Sequence, residues 1–236
     1  MESTLARRAG ALAFAIAWLA ACVSPYPPVE PPMAVVPAPN LAPGDTWVYS
    51  QVNGYNGLVE RTLTDTLQRS GNGWVVERRS DQSGDAVQTE TIMAPWRETA
   101  ESSGRTRRTF SVPLARIPFP IAPGQTWREQ ATMTDEGGIA YAWNTFGRAL
   151  GWERIRTPAG EFAALRIERY MTLGDFDYTW SDTQVAETYW YVPEVRRWVR
   201  YEYAYERVEL GVPARIRRKL NDRIVWELKA FRPASG

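Results

Sequence analysis

From residue 41 onward the chain consists of short runs in which apolar and polar side chains alternate. Val199, Tyr201, Tyr203 and Tyr205 fall on one face of an extended segment, with Trp198, Arg200, Glu202 and Glu206 on the other. Ile224, Trp226, Leu228 and Ala230 alternate likewise with Arg223, Val225, Glu227 and Lys229. Runs of this kind, bounded by Gly, Asn and Asp, predict strands over 58–69, 74–80, 86–94, 106–114, 138–146, 150–156, 162–173, 176–181, 185–192, 197–210, 214–220 and 223–232. Further strands open at Trp47 and Trp127. No long stretch spaces apolar residues three and four apart, so any helix after the N-terminal leader should be short. The expected class is all-β and mainly antiparallel, a curved sheet or half-open barrel.

Two heptapeptides nearly coincide. Residues 41–47 read LAPGDTW and residues 121–127 read IAPGQTW. In each, Pro-Gly suits the centre of a type II turn, where Gly takes the positive φ, and the Trp starts a strand. The domain is therefore expected to have two sequence-related halves. The separation is too long for a solenoid repeat.

Ahead of residue 41 the pattern changes twice. Arg7 and Arg8 precede an uncharged, Ala-rich run that ends at Leu19-Ala20-Ala21-Cys22, the layout of a signal peptide. The run is about half of the roughly 20 residues a spanning helix needs. Cys22 is the only cysteine. These four residues resemble the lipobox of bacterial lipoproteins, where the chain is cut before the Cys and the Cys is acylated. The resemblance implies a signal peptide at 1–21, lipidation of Cys22 and a membrane partner held through the acyl chains, palmitate among them. Several chains on one residue anchor stably where a single chain does not. Val23, instead of Asp, after the cysteine implies the outer membrane, with the domain on its periplasmic face. The rival reading is an ordinary secretory signal with a chance cysteine after the cut. Pro25, Pro27, Pro28, Pro31, Pro32, Pro37 and Pro39 then predict an extended linker over 22–40. At 3.1 Å per residue it would reach roughly 55 Å. A single β-rich domain is expected at 41–236.

The C-terminal half also resembles a family. Thr157-Pro158-Ala159-Gly160-Glu161-Phe162, with Leu165-Arg166-Ile167-Glu168, is similar to a "PAG-x-F" hairpin of uncharacterised exported bacterial lipoproteins. Tyr189-Trp190-Tyr191-Val192-Pro193-Glu194 and Trp198-Val199-Arg200-Tyr201-Glu202 are similar to the aromatic strands that follow it. The resemblance covers about residues 150–205. It implies a half-open β-barrel like that of periplasmic lipoprotein carriers, and it assigns no catalytic residue.

Composition narrows the chemistry. There is no His, which removes imidazole acid–base catalysis, Ser-His and Cys-His pairs and the commonest zinc ligand. Lys219 and Lys229 are the only lysines, and no Gly-rich phosphate loop is present. The chain carries 28 basic and 27 acidic side chains, and removing 1–21 takes Arg7, Arg8 and Glu2 from that balance. The remainder is neutral overall, without the basic face a nucleic acid requires. No catalytic residue, metal or cofactor is expected. Aromatic residues are abundant, with 11 Trp, 11 Tyr and 7 Phe. Trp143, Tyr189, Tyr191, Tyr201 and Tyr203 are the candidate ligand-binding residues, either as a sealed core or as the wall of an incompletely filled pocket. The expected role is non-catalytic binding of an apolar or lipid-like ligand, or of an envelope protein. A structural or assembly accessory of the envelope is the first alternative. A carboxylate-based hydrolase using acids such as Asp175, Asp177, Asp182 and Glu187 is the second.

Overall fold

The computed structural model describes residues 25–83, 86–103, 106–175, 181–209 and 217–234. The leader, Cys22 and the predicted residues 176–180 lie outside the described residues. Among the described residues, twelve strands follow one another. They are β1 (Thr46–Asn53), β2 (Val59–Ser70), β3 (Gly73–Ser80), β4 (Ala86–Ala94), β5 (Arg97–Ser103), β6 (Thr106–Ala115), β7 (Thr126–Asp135), β8 (Ala140–Thr157), β9 (Gly160–Asp175), β10 (Ser181–Val192), β11 (Arg197–Glu209) and β12 (Arg217–Arg232). Each pairs antiparallel with its sequence neighbours, and β12 pairs back onto β1, from Thr46 opposite Arg232 to Asn53 opposite Ile224. The all-β antiparallel expectation holds, but the half-open barrel is corrected to a closed one. Closure gives every described strand a partner on both sides, with β6 and β7 paired only over Arg108–Phe110 and Met133–Asp135. Alternation along a strand does not record which strands meet, and so it missed the seam.

Bulges explain where strand boundaries differ. Segments 138–146 and 150–156 are one strand, β8, with a register shift between Ala149 and Trp152. Likewise 217–220 and 223–232 belong to β12, which shifts opposite Tyr205 and Glu206, while 214–216 lie outside the described residues. A bulge adds one residue and slips the period-two pattern. A third bulge pairs Trp190 with Arg200 but Tyr191 with Trp198. Trp198 and Tyr201 therefore pack together, ring centroids 6.2 Å apart, although strict alternation puts them on opposite faces. β5 has no counterpart among the predicted strands. Its inward residues Glu98 and Glu101 face a polar stretch of the lumen, so no apolar rhythm marks it.

The repeated heptapeptides fold alike. Gly44 and Gly124 have φ of +99° and +84°. The Gly44 N–H donates to the Leu67 carbonyl at 2.7 Å, and the Gly124 N–H to the Ala149 carbonyl at 2.8 Å. Asp45 and Gln125 each accept from the backbone three residues earlier, at Ala42 and Ala122, both at 3.1 Å. β1 and β7 stand on opposite sides of the ring, so each copy starts one half of the barrel.

The end of the barrel where β1 begins is sealed. Trp47, Trp96, Trp198, Ile117 and Ile121 are buried there. Among them sits Arg197, with no exposed surface. Its guanidinium carbon lies 4.9 Å from the ring centroids of Trp47 and Trp96 and 4.5 Å from that of Trp198. It pairs with Asp65 at 2.8 Å. The delocalised, weakly hydrated guanidinium tolerates such an aromatic cage better than an ammonium would.

The Pro-rich segment does not extend away from the domain. The Arg154 N–H donates to the Pro27 carbonyl at 2.9 Å and the Val29 N–H to the Trp152 carbonyl at 3.0 Å. Val36 exchanges backbone bonds with Ile121 at 2.8 and 3.0 Å and is fully buried. Tyr26 meets Trp190 edge-on at 5.4 Å, and Val29 and Met33 pack against the core. A polyproline helix has three residues per turn. Tyr26, Val29, Met33 and Val36 follow nearly that spacing, which turns one edge of the segment toward the barrel. Residues 25–40 form a strap instead of the expected free spacer.

Candidate functional site

Toward the other end the lumen is unfilled. A cavity of about 710 Å³ is lined by residues of β4 through β12, with Arg116 from the segment after β6. β9 and β10 show how its layers arise. Leu173 pairs with Thr183, Met171 with Val185 and Arg169 with Glu187. All six side chains face the cavity, so apolar wall gives way to charge on descending. Phe110, Met133, Trp143, Tyr203 and Tyr205 complete the wall. Trp143 lies edge-on to Phe110 at 5.1 Å, and its Nε1 donates to Thr145 Oγ1 at 3.1 Å.

The floor is an ion-pair network. Arg169 Nε donates to Glu187 Oε2 at 2.7 Å. Glu187 also accepts from the Tyr189 hydroxyl at 2.5 Å and the Tyr201 hydroxyl at 2.7 Å. Arg116 donates through Nη1 to Glu90 at 2.9 Å and through Nη2 to Glu98 Oε2 at 3.2 Å. Glu90's other oxygen accepts from Arg78 at 3.3 Å, and Arg78 also clasps Asp65 with Nε and Nη2. Glu98 Oε1 is buried without a hydrogen-bond partner.

This arrangement separates the two carboxyls on Arg116. Burial pushes Glu98 up to about 8, outweighing the pull of Arg116 and reinforced by Glu101 and Glu90. Burial acts on Glu90 too, but Arg116, Arg78 and Arg197 together bring it down to about 2. Glu187 is also buried, yet Arg169, Arg116 and the two tyrosine hydroxyls hold it below the usual carboxylate range. The carboxyl side chains on the described lining are Glu90, Glu98, Glu101, Asp135, Glu187 and Asp222, against the guanidinium groups of Arg108, Arg116 and Arg169. Each of these arginines is already bound to a carboxylate, Arg108 to Glu101 at 2.9 Å.

Of the residues singled out from sequence, Trp143, Tyr201 and Tyr203 line the cavity. Tyr189 lies behind Glu187, stacked on Tyr201 at 5.1 Å. Tyr191 lies deeper in the sealed half, 5.2 Å from Phe119. Neither is on the lining, because the strand carries its inward face past the floor and into the core. The floor residues were missed. Their signal was a charged side chain on an otherwise apolar face: Arg169 among Ile167, Met171 and Leu173, and Glu187 among Val185, Tyr189 and Tyr191. Among the described residues, no group of three or more His, Cys, Asp or Glu could hold a metal ion.

No protein-family model matches the chain, and no curated protein matches it. Two solved structures are similar in fold. One is a Bacteroides fragilis protein described as exported and as having a YmcC-like fold. It is 13% identical with a TM-score of 0.47, over 85% of this chain and 100% of that one. The other is a Parabacteroides distasonis protein described as a lipoprotein, 11% identical with a TM-score of 0.42, over 84% and 97%. Likeness at this level does not extend to function.

Proposed function

We propose that the protein is an exported, lipid-anchored binding barrel. Cys22 moors it to the outer membrane on the periplasmic side, and the open half of the lumen holds an apolar or lipid-like molecule without transforming it. The cavity carries this reading: about 710 Å³ behind aromatic and methionine walls is within the range of small-molecule sites. The charged floor refines the expected ligand. A wholly apolar molecule reaching the bottom would strip water from Glu98 and the arginines, whereas an amphiphile presents a polar end there.

The outer wall supports anchoring by lipid over spanning by the barrel itself. Arg128, Arg148, Arg154, Arg156 and Glu161 are exposed on it, where a spanning barrel carries an apolar band. Tyr26 fastens the strap to the flank of the sealed half, so a lipid just upstream at Cys22 would bring that flank to the bilayer and leave the mouth facing the periplasm. The accessory-protein alternative called for a free sheet edge or an exposed aromatic patch, whereas every described strand has a neighbour on both sides, β6 and β7 meeting over Arg108–Phe110 and Met133–Asp135. The hydrolase alternative named Asp175, Asp177, Asp182 and Glu187; the side chains of the first three lie outside the described residues, and Glu187 is taken up by Arg169 and two tyrosine hydroxyls.

Mass spectrometry of the protein purified from its native membrane tests the proposal. It should show acyl groups on Cys22 and a co-purifying amphiphile, and Cys22→Ser should carry no acyl group and remain uncut after Ala21. An unmodified Cys22 and a barrel carrying no small molecule would refute it.

A further inference from the structure

We infer that the cavity selects an amphiphile with a cationic head, an amine or quaternary ammonium, seated at Glu98. The inference rests on the cavity being a ligand site and adds the charge of the ligand.

On the described lining, carboxylates outnumber guanidiniums two to one, and every guanidinium is already bound to an acid. No arginine is left over to receive an anion. The surplus acids form a path. Asp222 is exposed and Asp135 half-buried, both near the mouth, and Glu98 waits at the floor. Glu98 is 4% exposed, and Oε1 has no partner while Oε2 is held by Arg116. A cation brought to that oxygen would supply what the fold withholds. Rim acids over low-dielectric walls attract cations and repel carboxylates. The aromatic rings of Trp143 and Tyr203 on the lining suit a quaternary ammonium, and adjoining Met and Leu side chains suit a chain. Small metal ions are a poor fit, since no described cluster could hold one.

Binding should carry a proton signature. Glu98 faces Arg116, Glu90, Glu101 and Arg169, and it stays protonated until about pH 8. A cation displaces that proton, so affinity should rise from about pH 6 to about pH 9.

The test is calorimetric titration of the purified barrel with dodecyltrimethylammonium, dodecanoate and dodecyl maltoside, each below its micellar concentration, and with tetramethylammonium. The cationic amphiphile should bind at least about tenfold tighter than dodecanoate and weaken as salt rises. Glu98→Gln should remove most of that preference and the pH dependence. Asp222→Asn, exposed and remote from the core, should lower cation affinity about twofold to threefold whether or not Glu98→Gln folds. Equal or tighter binding of dodecanoate overturns the inference, as does an undiminished preference in both variants. Tetramethylammonium binding as tightly as the dodecyl compound overturns the amphiphile part. Dodecyl maltoside binding without any head preference overturns this inference alone, whereas no binding by any of the four overturns the ligand-site reading itself.

Discussion

Arg197 and Glu98 are both buried ionisable groups, and they differ in what surrounds them. Arg197 has three indole rings and Asp65. Removing its charge leaves Asp65 with Arg78 alone and empties a well-filled cage. Arg197→Met should lower stability by about 3 kcal/mol, the scale for breaking a buried pair, read as a drop in the urea midpoint at constant slope. Glu98 acts in the opposite sense. Its folded-state value of about 8 lies above the ordinary 4.5 of an unfolded glutamate. The folded chain therefore holds a proton that the unfolded chain gives up between those values. The stability Glu98 contributes is full below about pH 4.5 and is lost as pH rises to about 8. Urea midpoints of wild type and Glu98→Gln, taken across that range, should converge toward low pH and separate toward high pH, with the wild type falling. Parallel curves would refute the assignment.

Strands and turns carry the next level. β7 meets β8 at Trp127 opposite Gly147. A Cβ on Gly147 would sit 2.1 Å from the Trp127 ring. Gly is needed there for the close approach of an indole, not for backbone freedom. Gly147→Ala should destabilise by about 1–3 kcal/mol, and adding Trp127→Leu should recover part of the loss in thermal melts. The strap gives a second prediction. Val36 is buried, and Tyr26, Val29 and Met33 pack on the core. A chain starting at residue 41 should melt several degrees lower than one starting at residue 25 and expose Trp190, seen as quenching of its fluorescence by acrylamide. Equal melting temperatures would show that the strap adds nothing to the barrel.

For the whole molecule, the division of the lumen decides what the protein can do. One half is filled by caged Arg197 and its indoles, and the other holds about 710 Å³ of open space. Val185 stands midway down that space, paired with Met171 and Tyr205. Val185→Trp should fill the middle of the cavity and abolish amphiphile binding in titration. Its melting temperature should stay near wild type, because the added ring enters empty volume instead of displacing packed atoms. Loss of binding together with unfolding would instead mark Val185 as core.

Alternation and turn residues made the strands legible, and the paired LAPGDTW and IAPGQTW segments marked the two starts of the ring. Both are local signals: a strand's two faces and a turn's φ are set by residues within a few positions of each other. Trp143, Tyr201 and Tyr203 could be picked out for the same reason, because aromatic residues in alternating runs lie on an inward face. Closure of β12 onto β1, the bulge that turns Trp198 and Tyr201 together, and the depth at which β10 passes from wall through floor to core were not legible. Each depends on contacts between residues far apart in sequence. The charged floor shows this most clearly. Arg116 and Glu98 look like solvated side chains in a neutral sequence, Arg169 and Glu187 are marked only by standing on apolar faces, and only the closed ring removes all four from water and brings them together.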